Sequence, residues 1–420
     1  MNLQKKETAP LYRIILVILA GESIFILPFV LARIFLPTFL DVFNVTNENL
    51  GYCFSVYGLV ALFSYLNGGT IADKFPPKKL ISGGLLLTAI GGLFMSTFPS
   101  YTSLIALFGY WGFTTIFLFW GAMIKATRSW GGLKNQGKAF GFLEGGRGFV
   151  AASMGAIGVF IFSLFLPENI ESASLIQRQE AFRYVILTSS FLVILISIAV
   201  YLFLKEENTT DETFVKSSPL KNIKSVAGIP SVWLLMVIVL CAYVGYKTTD
   251  IFSLYASDVM LFNDVEAAEI GTFQLYLRPI VCIAIGLLAD RTKGSLWMIL
   301  GFIIMLMGSI IFSSGIVTSE LNTIFFFSLI ITAVGTYAIR TLYFAVLQEG
   351  KIPLAVTGTA VGLISLVGYT PDIFIGPIRG YLLDQNPGII GHQHVFFMLA
   401  IFSLIGLIAS WRFSKLSSSN

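Results

Sequence analysis

Gly69-Thr70-Ile71-Ala72-Asp73-Lys74 and, half a chain later, Gly286-Leu287-Leu288-Ala289-Asp290-Arg291 are one motif written twice. Each runs glycine, three small or apolar residues, aspartate, base, and each closes an apolar stretch about 20 residues long. That length spans a ~30 Å hydrocarbon core at 1.5 Å per residue. Hydrocarbon offers the backbone no hydrogen-bond partners, so such stretches must be helices. Of 420 residues, 56% are hydrophobic and 12% charged, against roughly a quarter charged in soluble chains. Outward from the two motifs, twelve spans follow: 12–40, 50–72, 79–98, 102–125, 137–165, 182–204, 231–258, 266–289, 295–314, 321–348, 356–378 and 394–413. Each motif closes the second span of its half, so the halves repeat one topology. No small-residue cleavage site follows the first span, which is expected to be retained.

The longest polar stretch, 205–230, separates a six-helix bundle at 1–204 from another at 231–420. Basic residues set the orientation. With the N-terminus in the cytoplasm, most of the 27 lysines and arginines fall on cytoplasmic segments and span ends, as the positive-inside rule requires. Both termini and the linker are therefore expected inside. This accounts for the net charge of +4 without nucleic acid as a partner. Cys53, Cys241 and Cys282 lie within apolar runs and read as small buried hydrophobes. His392 and His394 fall in an expected loop with no further ligand, so no metal site is read there. No G-x-x-x-x-G-K-[ST] phosphate loop and no Ser/His/Asp triad is present. Neither a cofactor nor an enzymatic activity is expected.

The two motifs resemble the signature loop of the major facilitator superfamily, with Lys78 and Lys79 in the usual basic places and Pro76 and Pro77 where glycine and arginine are customary. The resemblance implies a cytoplasmic gate at Asp73, Lys78, Asp290 and Arg291, and a multi-pass transporter of the cell inner membrane. A narrower similarity runs to the organophosphate:phosphate antiporters. It is carried by Trp120, Lys125, Trp130, Gly137 and Arg147, and by Gly358-Thr359-Ala360-Val361-Gly362, Gly368-Tyr369, Gly380 and Asp384. Arg33 stands one turn from that group's phosphate-binding arginine, and Lys247 stands beside its seventh-span position.

The chemistry must lie in ionisable residues inside the apolar runs, since a charge at the bilayer centre costs at least ~2.5–3.5 kcal/mol. These are Glu22, Arg33, Glu144, Arg147, Lys247, Asp250, Arg278, Arg340, Asp372 and Arg379. Spans three, six, nine and twelve carry none, and the family resemblance places those four at the periphery. Counted along their helices, Arg147, Arg278 and Arg340 lie roughly 14–18 Å from the cytoplasmic face, near the midplane. Glu22 shares that level, and Arg33, Lys247, Asp250 and Asp372 lie further out. Glu144–Arg147 and Lys247–Asp250 are i,i+3 pairs able to touch.

Six basic residues against four acidic ones suit an anion, because arginine presents a planar fork of donors to phosphate or carboxylate. Arg147, Arg278, Arg340, Lys247 and Arg33 are the candidates for substrate binding. Glu22, Glu144, Asp250 and Asp372 are the candidates for carrying a proton, since desolvation favours a carboxylate's neutral form. Tyr243, Tyr246, Tyr276, Tyr337, Tyr343, Tyr369, Trp111 and Trp120 line the cavity or belong to the interfacial belt. The glycines of span five, Gly137, Gly141, Gly145, Gly148 and Gly155, read as a close-packing stripe.

The expected function is secondary active transport of a small organic anion by a monomer embedded in the lipid bilayer, coupled to protons or to antiport. The alternatives are a transporter-like sensor of an anionic metabolite and a proton-coupled exporter of another small molecule. Both are disfavoured, the first by short cytoplasmic segments and the second, for cationic cargo, by the positive surplus.

Overall fold

The computed structural model describes residues 10–131, 136–167, 173–205, 224–353 and 357–418, excepting the side chains of 66–70, 73, 74, 128, 136–138, 290 and 357–359. Among these residues the chain is helical, with no strand. The first half contains α1 (Leu11–Ile34), α2 (Asn47–Lys74), α3 (Pro77–Met95), α4 (Tyr101–Gly131), α5 (Gln136–Leu164) and α6 (Leu175–Phe203). The second contains α7 (Pro230–Asp258), α8 (Asp264–Arg291), α9 (Gly294–Ser313), α10 (Asn322–Leu342), α11 (Ala360–Gln385) and α12 (Ile389–Ser418). Eleven of them, all but α2, are long and apolar enough to cross a membrane by length and composition, among the described residues.

Local chemistry sets the boundaries. Proline at the first helical position opens α3 at Pro77 and α7 at Pro230, where its missing N–H costs nothing. A reciprocal capping box of Asn263 and Glu266 opens α8. A second box, Ser174 with Gln177, starts α6 at Leu175, ahead of the expected 182. Gly388, with φ of 75°, supplies the left-handed turn after α11. In consequence α12 begins at Ile389, and His392 and His394 lie in a helix where the sequence suggested a loop. Most of the polar stretch between the halves, 206–223, lies outside the described residues.

Two helices break at matching places. In α1, Pro28 falls in a π-turn, Ile26–Val30, and the helix stops before Phe35, to resume as Leu36–Phe43. In α7 a 3-10 turn occupies Thr249–Ile251. A broken helix frees carbonyls that hydrocarbon cannot satisfy, and side chains from neighbouring elements take them up. Ser253 donates to the Arg33 carbonyl at 2.8 Å, Gln274 to that of Thr249 at 3.0 Å, and Arg379 to that of Lys247 at 2.6 Å.

Within the first half α1 packs on α5 and α3 on α6, and within the second α7 packs on α11 and α12 and α9 on α10 and α12. Helices α3, α6, α9 and α12, which the family resemblance places at the periphery, carry rows of exposed apolar side chains such as Leu86, Ile90, Phe191, Leu195, Leu300 and Ile408. The halves meet through α2 against α11, α5 against α8, and α1 against α7.

That meeting is tight at one end only. At the end away from the linker, a methyl on Gly51 would collide with the Gly376 carbonyl, and one on Gly380 with the Glu48 backbone. Asp384 accepts the N–H groups of Asn47 (3.1 Å) and Glu48 (2.7 Å), so a carboxylate of the second half caps the N-terminus of α2. Ser55 donates to the Ile373 carbonyl nearby. Toward the linker end the helices part. Along α5, Gly155 is pressed by Ile34 and Thr272 and Gly148 by Arg278 and Pro279, but Gly145 and Gly141 have open space beside them. Gly286 of α8 and Gly362 of α11 are open in the same way. The expected packing stripe on α5 is therefore half contact and half cleft wall, and the cleft between the halves opens toward the linker end.

Candidate functional site

Two ion clusters lie between the halves, one above the other. The inner one joins α1, α5 and α8. Arg147 donates through Nε to Glu22 at 3.0 Å and through Nη1 to Glu144 at 2.8 Å. Glu144 reaches across the halves, its other oxygen 3.1 Å from Arg278 Nη2. Glu22 also faces Arg278, at 3.7 Å. Glu22, Arg147 and Arg278 are buried, whereas the Glu144 side chain is 45% exposed on the cleft. The Arg147 guanidinium also lies over the Phe25 and Trp120 rings.

The outer cluster joins the two helix breaks. Arg33 Nε is 2.5 Å from Asp250 Oδ1, and Arg379 Nη1 stands 3.8 Å from the other oxygen. Lys247 pairs with Asp372 at 2.9 Å, and the Tyr243 hydroxyl donates to the same carboxylate. Lys247 and Asp250, expected to be able to touch as an i,i+3 pair, each take a longer-range partner instead. Lys247 Nζ lies 4.3 Å from the Phe29 ring centre, so the second half places this cation against an aromatic wall of the first.

Arg340 stands between the clusters. Its guanidinium is 3.7 Å from the ring centre of Tyr246, and that of Arg33 is 4.6 Å from the same centre. The Tyr246 hydroxyl accepts from Arg33 at 3.1 Å. Among the described residues no carboxylate lies within ion-pair distance of Arg340, and its Nη1 is buried without a hydrogen-bond partner. Arg278 Nη1 is likewise without one. The ten charges thus sort into two nearly neutralised clusters and Arg340, which among the described residues has aromatic rings but no carboxylate directly beside it.

Tyr243, Tyr246, Tyr343 and Tyr369 gather around Arg340, with the last two joined hydroxyl to hydroxyl at 3.2 Å. Trp111 is core packing, fully buried with its N–H on the Thr88 carbonyl. Gln274, which carries no sequence signal of its own, is fully buried and links Thr249 to the Tyr337 hydroxyl. His392 is buried against Asp258 at 3.1 Å, and no group of metal-ligating side chains occurs among the described residues. Of the gate residues, the side chains of Asp73 and Asp290 lie outside the described residues. Lys78 stands 5.8 Å from the Tyr201 ring, and Arg291 is exposed at the end of α8. Lys125 donates to the Ala72 carbonyl at 2.8 Å, inside the first motif.

Known proteins of this architecture are numerous. The chain is 27% identical over 408 residues to the inner membrane protein YihN of Escherichia coli strain K12, covering 94% of this chain and 93% of that protein. To the inner membrane protein YqcE of the same organism it is 26% identical over 383 residues, covering 89% and 88%. Its fold superposes on a bacterial homologue of the human lysosomal transporter Spinster, inward-facing and unoccupied, with a TM-score of 0.73, 16% identity and coverage of 96% and 97%. A point mutant of the nucleoside transporter NupG gives a TM-score of 0.73 at 15% identity, covering 96% and 99%. Residues 18–377 match the Major Facilitator Superfamily. With its long apolar helices and a charge-lined cleft, the chain belongs to that superfamily and is a multi-pass membrane transporter, not an enzyme.

Proposed function

We propose that this protein is a secondary active transporter that carries a small organic anion, a phosphorylated or carboxylated metabolite, across the inner membrane by alternating access. One observation carries the reading: Arg340, deep in the cleft, is a guanidinium with no carboxylate partner among the described residues and an unused buried N–H. Leaving such a group unmatched is costly, and an anion entering the cleft satisfies it. Arg278, which also has an unused N–H, supplies a second donor, and each guanidinium offers the planar fork of donors that suits a phosphate or carboxylate. Arg147 is held by Glu22 and Glu144 and orients Glu144. Lys247 and Arg33 bind the outer side of the anion once their own pairs open. The similarity to organophosphate:phosphate antiporters supports an anionic cargo.

In this reading α2 is the twelfth span. Residues 1–204 and 231–420 form two six-helix bundles that rock about the site in a monomer. The linker end is cytoplasmic, so the structure is the inward-open form. Asp73, Lys78, Asp290 and Arg291 close that end in the outward-open form. Glu144, shared between Arg147 and Arg278, is the coupling carboxylate, and Glu22, Asp250 and Asp372 hold the arginines and Lys247 in place. The test is a binding titration of purified protein against phosphorylated and carboxylated metabolites, with neutral nucleosides as controls. Arg340→Gln removes a charge-assisted contact worth roughly 1.5–3 kcal/mol, a ten- to hundredfold loss of affinity. Arg340→Lys recovers part of it at most. Unchanged affinity for the best anion in both variants overturns the assignment.

A further inference from the structure

A second concave site lies far from the cleft, where the start of α7 meets the end of α12. Ala227, Pro230, Trp233 and Leu234 form its apolar wall, and Arg412 and Lys415 stand on its rim; the cavity measures about 750 Å³, within the ~300–1,000 Å³ usual for small-ligand sites. Both cations are accessible at its edge, and among the described residues neither has a carboxylate within ion-pair distance. Lys415 Nζ lies 3.8 Å from the Trp411 ring centre. The Trp233 N–H is already taken by the Ala227 carbonyl at 2.8 Å, so its ring, 55% exposed, offers an apolar face and no donor.

Towards mid-helix, the same two helices carry exposed apolar residues one helical turn apart: Val237 after Trp233 on α7, and Leu404, Ile408 and Trp411 on α12. From mid-helix to linker end the order is aliphatic stripe, tryptophan, then paired cations. A phospholipid presents acyl chain, glycerol ester and phosphate in the same order and over the same depth. A free phosphate would use only the rim and leave the apolar wall open. A zwitterionic headgroup would bring its own cation against Arg412 and Lys415.

We propose that this groove is a binding site for one anionic phospholipid, its phosphate held by Arg412 and Lys415 and its glycerol and acyl chain laid along Trp233 and the α7–α12 seam. Each basic residue at an anionic surface contributes about fivefold in affinity, so the pair gives a preference over a zwitterionic lipid of at least about tenfold.

The full-length protein is reconstituted into phosphatidylcholine vesicles doped with brominated phosphatidylglycerol or brominated phosphatidylcholine, and quenching of tryptophan fluorescence is measured. Subtracting the signal of Trp233→Phe isolates the groove. The expected result is that phosphatidylglycerol quenches Trp233 at roughly a tenth of the mole fraction that phosphatidylcholine needs. Arg412→Gln/Lys415→Gln should abolish that difference, and Arg412→Lys/Lys415→Arg should restore it. Both side chains lie at the surface, so these variants are expected to fold. Equal quenching by the two lipids in the wild type, or a preference that survives the double glutamine variant, overturns the proposal. So does displacement of the brominated phosphatidylglycerol by inorganic phosphate at matched ionic strength, which would make the groove a free-anion site.

Discussion

Arg33 of α1 and Asp250 of α7 meet across the two halves at 2.5 Å, each beside a break in its own helix. Asp250 also faces Arg379 at 3.8 Å, so one carboxylate compensates two guanidiniums. Removing one partner of a buried pair costs roughly 3–5 kcal/mol, because the other charge stays behind unpaired. Asp250→Asn is therefore expected to lower the unfolding midpoint by several degrees and to loosen the end away from the linker. Arg33→Leu/Asp250→Leu should recover much of the stability, since the lone charge goes too. Thermal unfolding of the purified variants checks both, and an Asp250→Asn protein that melts like wild type contradicts the role given to the pair.

The approach of Gly51 to Gly376 makes a second prediction. A methyl at Gly376 would stand 2.8 Å from the Gly51 carbonyl oxygen, inside van der Waals contact with backbone that cannot swing away. Gly376→Ala should hold α2 and α11 apart and strip most transport activity without unfolding the protein. Ser55, which donates to the Ile373 carbonyl in that seam, reports on it. A cysteine at Ser55 should react with a membrane-impermeant maleimide from the outer side much faster in the Gly376→Ala background. Equal labelling rates would show that the seam tolerates the methyl.

What can be read from the sequence divides along a physical line. Span length and the absence of charge from spans three, six, nine and twelve are local or periodic features, and they correspond to eleven helices of spanning length among the described residues and to exposed apolar faces. Which charge meets which is not local. Glu22 pairs with Arg147 and Arg33 with Asp250, far apart in the chain, and no spacing rule reaches that far. Lys247 and Asp250 share a helix at a favourable spacing, yet they pair with different residues on other helices. The 3-10 turn between them has a faint signal: Thr248 and Thr249 hydrogen-bond back to the Val244 and Tyr246 carbonyls, competing with regular helix. His392 reads as a loop residue in the sequence because the Gly388 turn before it is shorter than a loop of that composition suggests.

Topology gives a third prediction. If the linker end is cytoplasmic, a cysteine at Lys224 reacts with an impermeant maleimide in inside-out vesicles and not in intact cells. One at Asp258, beside His392 at the other end, shows the reverse. Labelling of the Lys224 position from outside would invert the assignment and, with it, the inward-open reading of the cleft.

The last prediction concerns Glu144, the one carboxylate of the inner cluster that reaches the cleft. It stands between Arg147 at 2.8 Å and Arg278 at 3.1 Å with 45% of its side chain exposed. Under the proposed function, an incoming phosphate or carboxylate on Arg340 and Arg278 competes with Glu144 for Arg278. In that proposal Glu144 is a built-in competitor: the anion would take its place on Arg278, and a proton on Glu144 would release it. Glu144→Gln keeps the size and a hydrogen-bonding end but cannot carry the charge. If Glu144 couples proton to anion, the variant should bind the anion as tightly as wild type or up to about tenfold more tightly, one charge-assisted contact having been freed. Exchange of labelled for unlabelled anion across proteoliposomes should persist, while accumulation driven by a pH gradient should vanish. If Glu144 only braces Arg147 and Arg278, the same substitution should weaken anion binding and lower thermal stability, because two buried guanidiniums lose their partner. Binding, exchange and gradient-driven uptake measured on one preparation separate the two. Gradient-driven accumulation at the wild-type level would remove Glu144 from the coupling step.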